Sequence, residues 1–166
     1  MTDPLVDGTR AGDLVAVLTA RGETVATAES LTAGLLTATI AGVPGASNVL
    51  RGGLVVYATD LKETLAGVDP ARLAEDGPVA ASTARGLADG ARARCGADWG
   101  VGLTGVAGPD TQDGHPVGTV FLSISGAAGT SVLELGLSGD RWQIRKSAVS
   151  AAVSGLLDRV QETSAG

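Results

Sequence analysis

The sequence is poor in the residues that most often carry chemistry. It holds one cysteine, Cys95, and one histidine, His115. A lone cysteine excludes an internal disulfide and points to a cytoplasmic setting. At a helix end it reads as a small buried hydrophobe. Two such residues cannot supply the three or four ligands of a His/Cys zinc site. A Ser-His-Asp triad would have to recruit His115 from a Gly/Pro loop that has no nucleophile elbow, so a solvated loop residue is the simpler reading. Aromatic residues make up only 2% of the chain, so the core must be Val, Leu, Ile and Ala packed closely between layers. Basic residues are scarce too. The net charge is −6 and the pI about 4.6, which argues against a nucleic-acid groove. The segment Met1 to Arg21 lacks a signal-peptide core, and no hydrophobic run approaches the length of a membrane span.

What is present suits one folded domain over residues 1–166. Hydrophobic residues reach 44% and glycines number 25, consistent with short elements joined by tight turns. Leu14, Val15 and Leu18 mark a helix from about Asp7 to Ala20, stopped near Gly22. Thr24 to Ala28 reads as a strand, and Leu35, Leu36, Thr39 and Ile40 as one face of a helix. Val43-Pro44-Gly45-Ala46 is a turn, with Ser47 as the N-cap of a short helical turn through Arg51. Gly52-Gly53 releases a buried strand, Leu54 to Ala58. Short helices follow from Leu61 and from Pro70, then a longer one from Ser82 to Cys95. Trp99 to Leu103 is a strand, Thr104 to Gly118 a long loop, Thr119 to Ser125 and Ser131 to Leu137 a hairpin, and Arg141 to about Val160 a final helix. The alternation predicts an α/β fold, a three-layer α/β/α sandwich around a mixed sheet.

Candidate chemistry gathers at element ends. Glu29, Ser30 and Thr32 stand where a strand gives way to a helix, a place for a cap or for a site. Lys62 is one of only two lysines. It follows Tyr57 by one turn, and its position in the first turn of a helix opposes the helix dipole and lowers its pKa, as a general base requires. Arg141 and Arg145 share a helix face and could hold a phosphate beside Ser138 and Asp140. The glycines from Thr104 to Asp110 could let backbone amides approach an anion, although the run is neither a P-loop nor a Rossmann pattern. Long loops of this kind are often functional. Asp110 and Asp113 read more simply as turn formers than as metal ligands.

Taken in order, Ala28-Glu29-Ser30-Leu31-Thr32-Ala33-Gly34, Val43-Pro44-Gly45-Ala46-Ser47, Gly52 to Tyr57 with Lys62, Gly77-Pro78-Val79, Thr104 to Asp110, Pro116 to Val120 and Gly139-Asp140-Arg141 resemble the CinA C-terminal domain family, the nicotinamide-nucleotide amidohydrolases. The likeness runs from about Gly22 into the last helix. Ala33 stands where the family often has glycine.

The resemblance implies hydrolysis of nicotinamide mononucleotide to nicotinate mononucleotide and ammonia, in pyridine-nucleotide recycling. It implies that the mixed sheet is five-stranded and mostly parallel, with no metal or other cofactor and commonly a homo-oligomer. From the charge and the lack of a membrane span, no nucleic-acid or membrane partner is expected. Longer family members carry a molybdopterin-binding-like domain that this chain has no room for, so a stand-alone enzyme is expected. Carried over by position, the serine–lysine chemistry falls on Ser47 and Lys62, with Ser30 and Tyr57 as catalytic neighbours and Ser30 as the alternative nucleophile. Glu29, Thr32, Gly45, Ala46, Thr104, Gly105, Arg141 and Arg145 are the expected substrate contacts. The competing readings are a non-catalytic nucleotide-binding module and a competence- or stress-linked interaction module.

Overall fold

The computed structural model describes residues 3–163. Five strands form one sheet in the order β2-β1-β3-β4-β5. They are β1 (Val25–Glu29), β2 (Leu50–Val55), β3 (Trp99–Gly105), β4 (Thr119–Gly126) and β5 (Gly129–Gly136). β2, β1 and β3 run parallel, while β4 and β5 add on as an antiparallel hairpin. The sheet is therefore mixed, as the alternation of elements predicts.

Helices cover both faces. α1 (Ala11–Arg21), α2 (Leu35–Ala41) and α6 (Arg141–Glu162) lie on one side, and α3 (Thr59–Thr64), α4 (Pro70–Asp76) and α5 (Ala81–Cys95) on the other. Strand alternation assigns each residue to a layer. Val25, Trp99, Val101 and Leu103 pack with Leu14, Leu36, Ile144 and Leu156 in the larger core. Ala26 and Ala28 pack with Leu87, Ala91 and Val68 in the smaller one. β3 turns Gly100 and Gly102 toward α5, and a side chain at Gly102 would come within 2.6 Å of the Ala84 carbonyl. α5 can lie this close only because those positions are bare.

Two local expectations change. β2 begins at Leu50, four residues before the predicted start, and incorporates Gly52-Gly53. It is an edge strand with alternating exposure, not a fully buried one. Ser47 does not cap a helix reaching Arg51. It sits inside a three-residue 3-10 turn, Ala46–Asn48, whose entry is set by Gly45 at φ 90°. Glycine takes that left-handed conformation without the clash that a Cβ brings. Ala33 also has positive φ, 47°, a conformation glycine adopts more readily. Among the described residues no helix is long and apolar enough to cross a membrane.

Candidate active site

The three parallel strands end at one edge of the sheet, and a cleft of about 300 Å³ opens there. Ser30 follows β1, Lys62 lies on the helix that follows β2, and Thr104 lies at the end of β3. The chain leaves β1 for β2 on one side and crosses back to β3 on the other. This reversal creates a crevice outside the carboxyl ends of the strands, the usual place for a ligand in an open α/β sheet.

Alternation along β1 separates two neighbouring polar residues. Val25, Thr27 and Glu29 face α2, whereas Ala26, Ala28 and then Ser30 face the α5 side. The Glu29 carboxylate is fully buried and turned away from the cleft. It accepts hydrogen bonds from the backbone N–H groups of Gly34, Leu36 and Thr37 and from the Thr37 hydroxyl, at 2.6 to 3.1 Å. It closes the first turn of α2, which has no side-chain cap of its own. The expected substrate contact at Glu29 is thus corrected to a helix cap.

Ser30 is the serine that stands beside Lys62. Lys62 Nζ lies 3.0 Å from Ser30 Oγ, 2.8 Å from the Val56 carbonyl and 3.3 Å from the Tyr57 carbonyl. Lys62 is 1% exposed, and among the described residues no carboxylate pairs with its nitrogen. Burial brings its pKa down to about 8, against a smaller upward pull from Asp60. The depression expected from the sequence is present, but its cause is desolvation: Lys62 lies in the last turn of the six-residue α3, not the first, where the helix dipole favours its charge. The coordination suits a base. Two carbonyls can hold the two hydrogens of a neutral amine, which leaves the lone pair for the Ser30 hydroxyl.

The far side of the cleft is built by the loop from Val106 to Gln112, within the stretch that its glycines and prolines had singled out. Arg141 lies at the rim. It donates to the Gly108 carbonyl at 2.7 Å and to the Tyr57 hydroxyl at 2.8 Å. Those bonds use two of the five guanidinium donors, so three remain for a ligand. Thr104 and Gly105 line the cleft as expected. Pro78 and Val79 also line it and were not among the expected site residues, although Gly77-Pro78-Val79 was visible as a motif.

The remaining expected contacts lie elsewhere. Ser47, Gly45 and Ala46 precede β2, at the opposite end of the sheet from Lys62, which follows β2. The six residues of β2 lie between them, a separation of roughly 16 Å at about 3.3 Å per residue. Ser47 therefore cannot meet Lys62 within one chain, and the pairing of those two is corrected to Ser30 with Lys62. Thr32 is fully buried, its hydroxyl without a hydrogen-bond partner among the described residues. Arg145 does not reach the cleft. It donates to the Leu31 and Thr32 carbonyls at 2.9 and 3.1 Å and lies over the Trp142 ring. It fixes the turn that carries Ser30 toward α2. His115 packs edge-on against Phe121.

Comparison with known proteins gives a consistent picture. The family model of the CinA C-terminal domain matches residues 8–160. A CinA-like protein of Frankia casuarinae is 44% identical over 96% of this chain, and one of Anaeromyxobacter is 48% identical over 85%. The matched regions cover 36% and 35% of those proteins, so the chain spans about a third of the length of these curated relatives. Among solved structures, the competence/damage inducible protein CihA from Agrobacterium tumefaciens superposes with a TM-score of 0.88 at 31% identity, covering 95% of this chain and 97% of that one. A CinA superfamily protein from Klebsiella pneumoniae gives 0.89 at 25% identity, covering 92% and 96%.

Proposed function

Because the chain belongs to the CinA C-terminal domain family, we propose that it hydrolyses the carboxamide of nicotinamide mononucleotide, with Ser30 as nucleophile and Lys62 as its base. The observation that carries this reading is the 3.0 Å contact between Lys62 Nζ and Ser30 Oγ at the buried floor of the cleft. A serine hydroxyl attacks a carboxamide only when a neighbouring base takes its proton, and a desolvated amine with no carboxylate partner can do so near neutral pH.

The step balances as acyl transfer. Ser30 Oγ bonds to the carboxamide carbon as its proton passes to Lys62. Lys62 then gives that proton to the departing nitrogen, and ammonia leaves. Water repeats the sequence on the acyl-serine, returning Ser30 and releasing the acid. Arg141, with donors to spare at the rim, suits the phosphate, whose charge it matches. The cleft volume lies at the lower end of the range for small-molecule sites, which fits a mononucleotide better than a dinucleotide.

The test is ammonia release from nicotinamide mononucleotide, with nicotinamide and its riboside as comparisons. The expected result is turnover of the mononucleotide above both. Ser30→Ala should remove at least about a thousandfold of it, and Ser47→Ala should keep near-full activity. Full turnover in Ser30→Ala would end the nucleophile assignment, and no ammonia from the wild-type protein would end the reading itself.

A further inference from the structure

Ser30 has a second polar neighbour in the cleft, on the side away from Lys62. The Ser30 N–H donates to the Leu103 carbonyl at 2.9 Å, so Thr104 lies one strand spacing from Ser30, about 5 Å. Thr104 faces the same layer as Ser30, since Gly100 and Gly102 before it face α5. It is 1% exposed and lines the cleft.

Its hydroxyl is not free to choose a role. Thr104 Oγ1 lies 2.6 Å from the Pro78 carbonyl, and a carbonyl oxygen can only accept. The single hydroxyl hydrogen is therefore spent on Pro78, and only lone pairs are left for the cleft. The Pro78 carbonyl is itself held in place, because the Thr83 hydroxyl donates to the Gly77 carbonyl at 2.7 Å and the Gly77 N–H closes the end of α4 on Leu73. Turning the Thr104 hydroxyl toward a ligand would strip Pro78 of its donor.

We propose that Thr104 distinguishes carboxamide from carboxylate, by presenting the site with an acceptor that has no hydrogen to offer. The inference rests on the hydrolytic reading and adds the selectivity of that same site. A carboxamide N–H is a donor and satisfies the Thr104 oxygen. A carboxylate has no hydrogen at neutral pH, so its oxygen meets the Thr104 lone pairs head on. The same oxygen can accept from the water that replaces ammonia on the acyl-serine. It then repels the acid that forms, which speeds product release.

The experiment measures binding of nicotinamide and nicotinate mononucleotides to the Ser30→Ala protein, which holds the amide without turning it over. The amide should bind at least about tenfold more tightly than the acid, since the acid leaves a buried polar contact unmade. Adding Thr104→Val should bring the ratio close to one, and Thr104→Ser should restore it. A purely structural tether to Pro78 would lower both affinities together and leave the ratio unchanged, which would overturn the proposal. A measurement on the unaltered protein avoids any folding defect of the valine variant. 3-Acetylpyridine mononucleotide, a methyl ketone of the same shape without N–H groups, should compete at least about tenfold less well than the amide. Equal competition would overturn the proposal. Ammonia release with an unchanged ratio in Thr104→Val leaves hydrolysis standing and removes the selectivity role. A ratio that collapses in a protein releasing no ammonia does the reverse. Failure of both ligands to bind removes both.

Discussion

In the proposed mechanism Lys62 joins the fold to the chemistry, because its burial is both a cost and the reason the amine can be uncharged near neutral pH. Below its pKa of about 8 the amine carries a proton and cannot accept one from Ser30. Turnover at low substrate should therefore rise about tenfold per pH unit through the acid range and level off above about pH 9. Lys62→Met should remove that rise together with most of the rate, as read from a pH profile of ammonia release. Glu29 makes the contrasting case. Its carboxylate binds four donors of α2, and glutamine would turn an N–H group toward some of them. Glu29→Gln should cost roughly 3 kcal/mol in urea unfolding, with substrate affinity changed only as far as the fold is loosened. The residue types Ser30 and Lys62 were legible in the sequence. The opposite fates of Glu29 and Ser30 were harder to read, because they depend on which face of β1 meets α2, and a short run of small residues does not declare its faces.

At the level of elements, the cleft depends on how closely α5 is seated. Pro78 and Val79 belong to the segment that leads into α5, so any displacement of that helix moves one wall of the site. Gly102 in β3 sets the seat, since an added Cβ would lie 2.6 Å from the Ala84 carbonyl and 2.7 Å from the Ala88 nitrogen. Gly102→Ala should destabilise the protein by about 1–3 kcal/mol through overpacking. Gly12→Ala, on α1 with nothing within 4 Å, should stabilise it by roughly 0.5–1 kcal/mol. Thermal unfolding of the two variants checks both signs. The helices and the terminal hairpin were readable from periodicity and from glycine and proline punctuation. The start of β2 was not, because Gly52-Gly53 resembles a turn in sequence. Only the pairing of Ala26 and Thr27 with those glycines makes them strand.

On the scale of the whole molecule, the layer order was predictable from the alternation of elements, and the end of the sheet that holds the site was not. Ser47 and Lys62 are 15 positions apart in sequence, close enough to suggest a pair. A parallel strand of full length intervenes, and it carries them to opposite ends of the sheet. A reader of the sequence would need the start of β2 to see this. Sequence distance therefore misleads most where a strand lies between two candidates. All the side chains assigned to turnover and selectivity stand on one rim, leaving the 3-10 turn from Ala46 to Asn48 as neutral ground. A fluorophore or an immobilising tether joined through position 47 would project from the back of the molecule, so the protein could be fixed to a surface with its mouth open to solution.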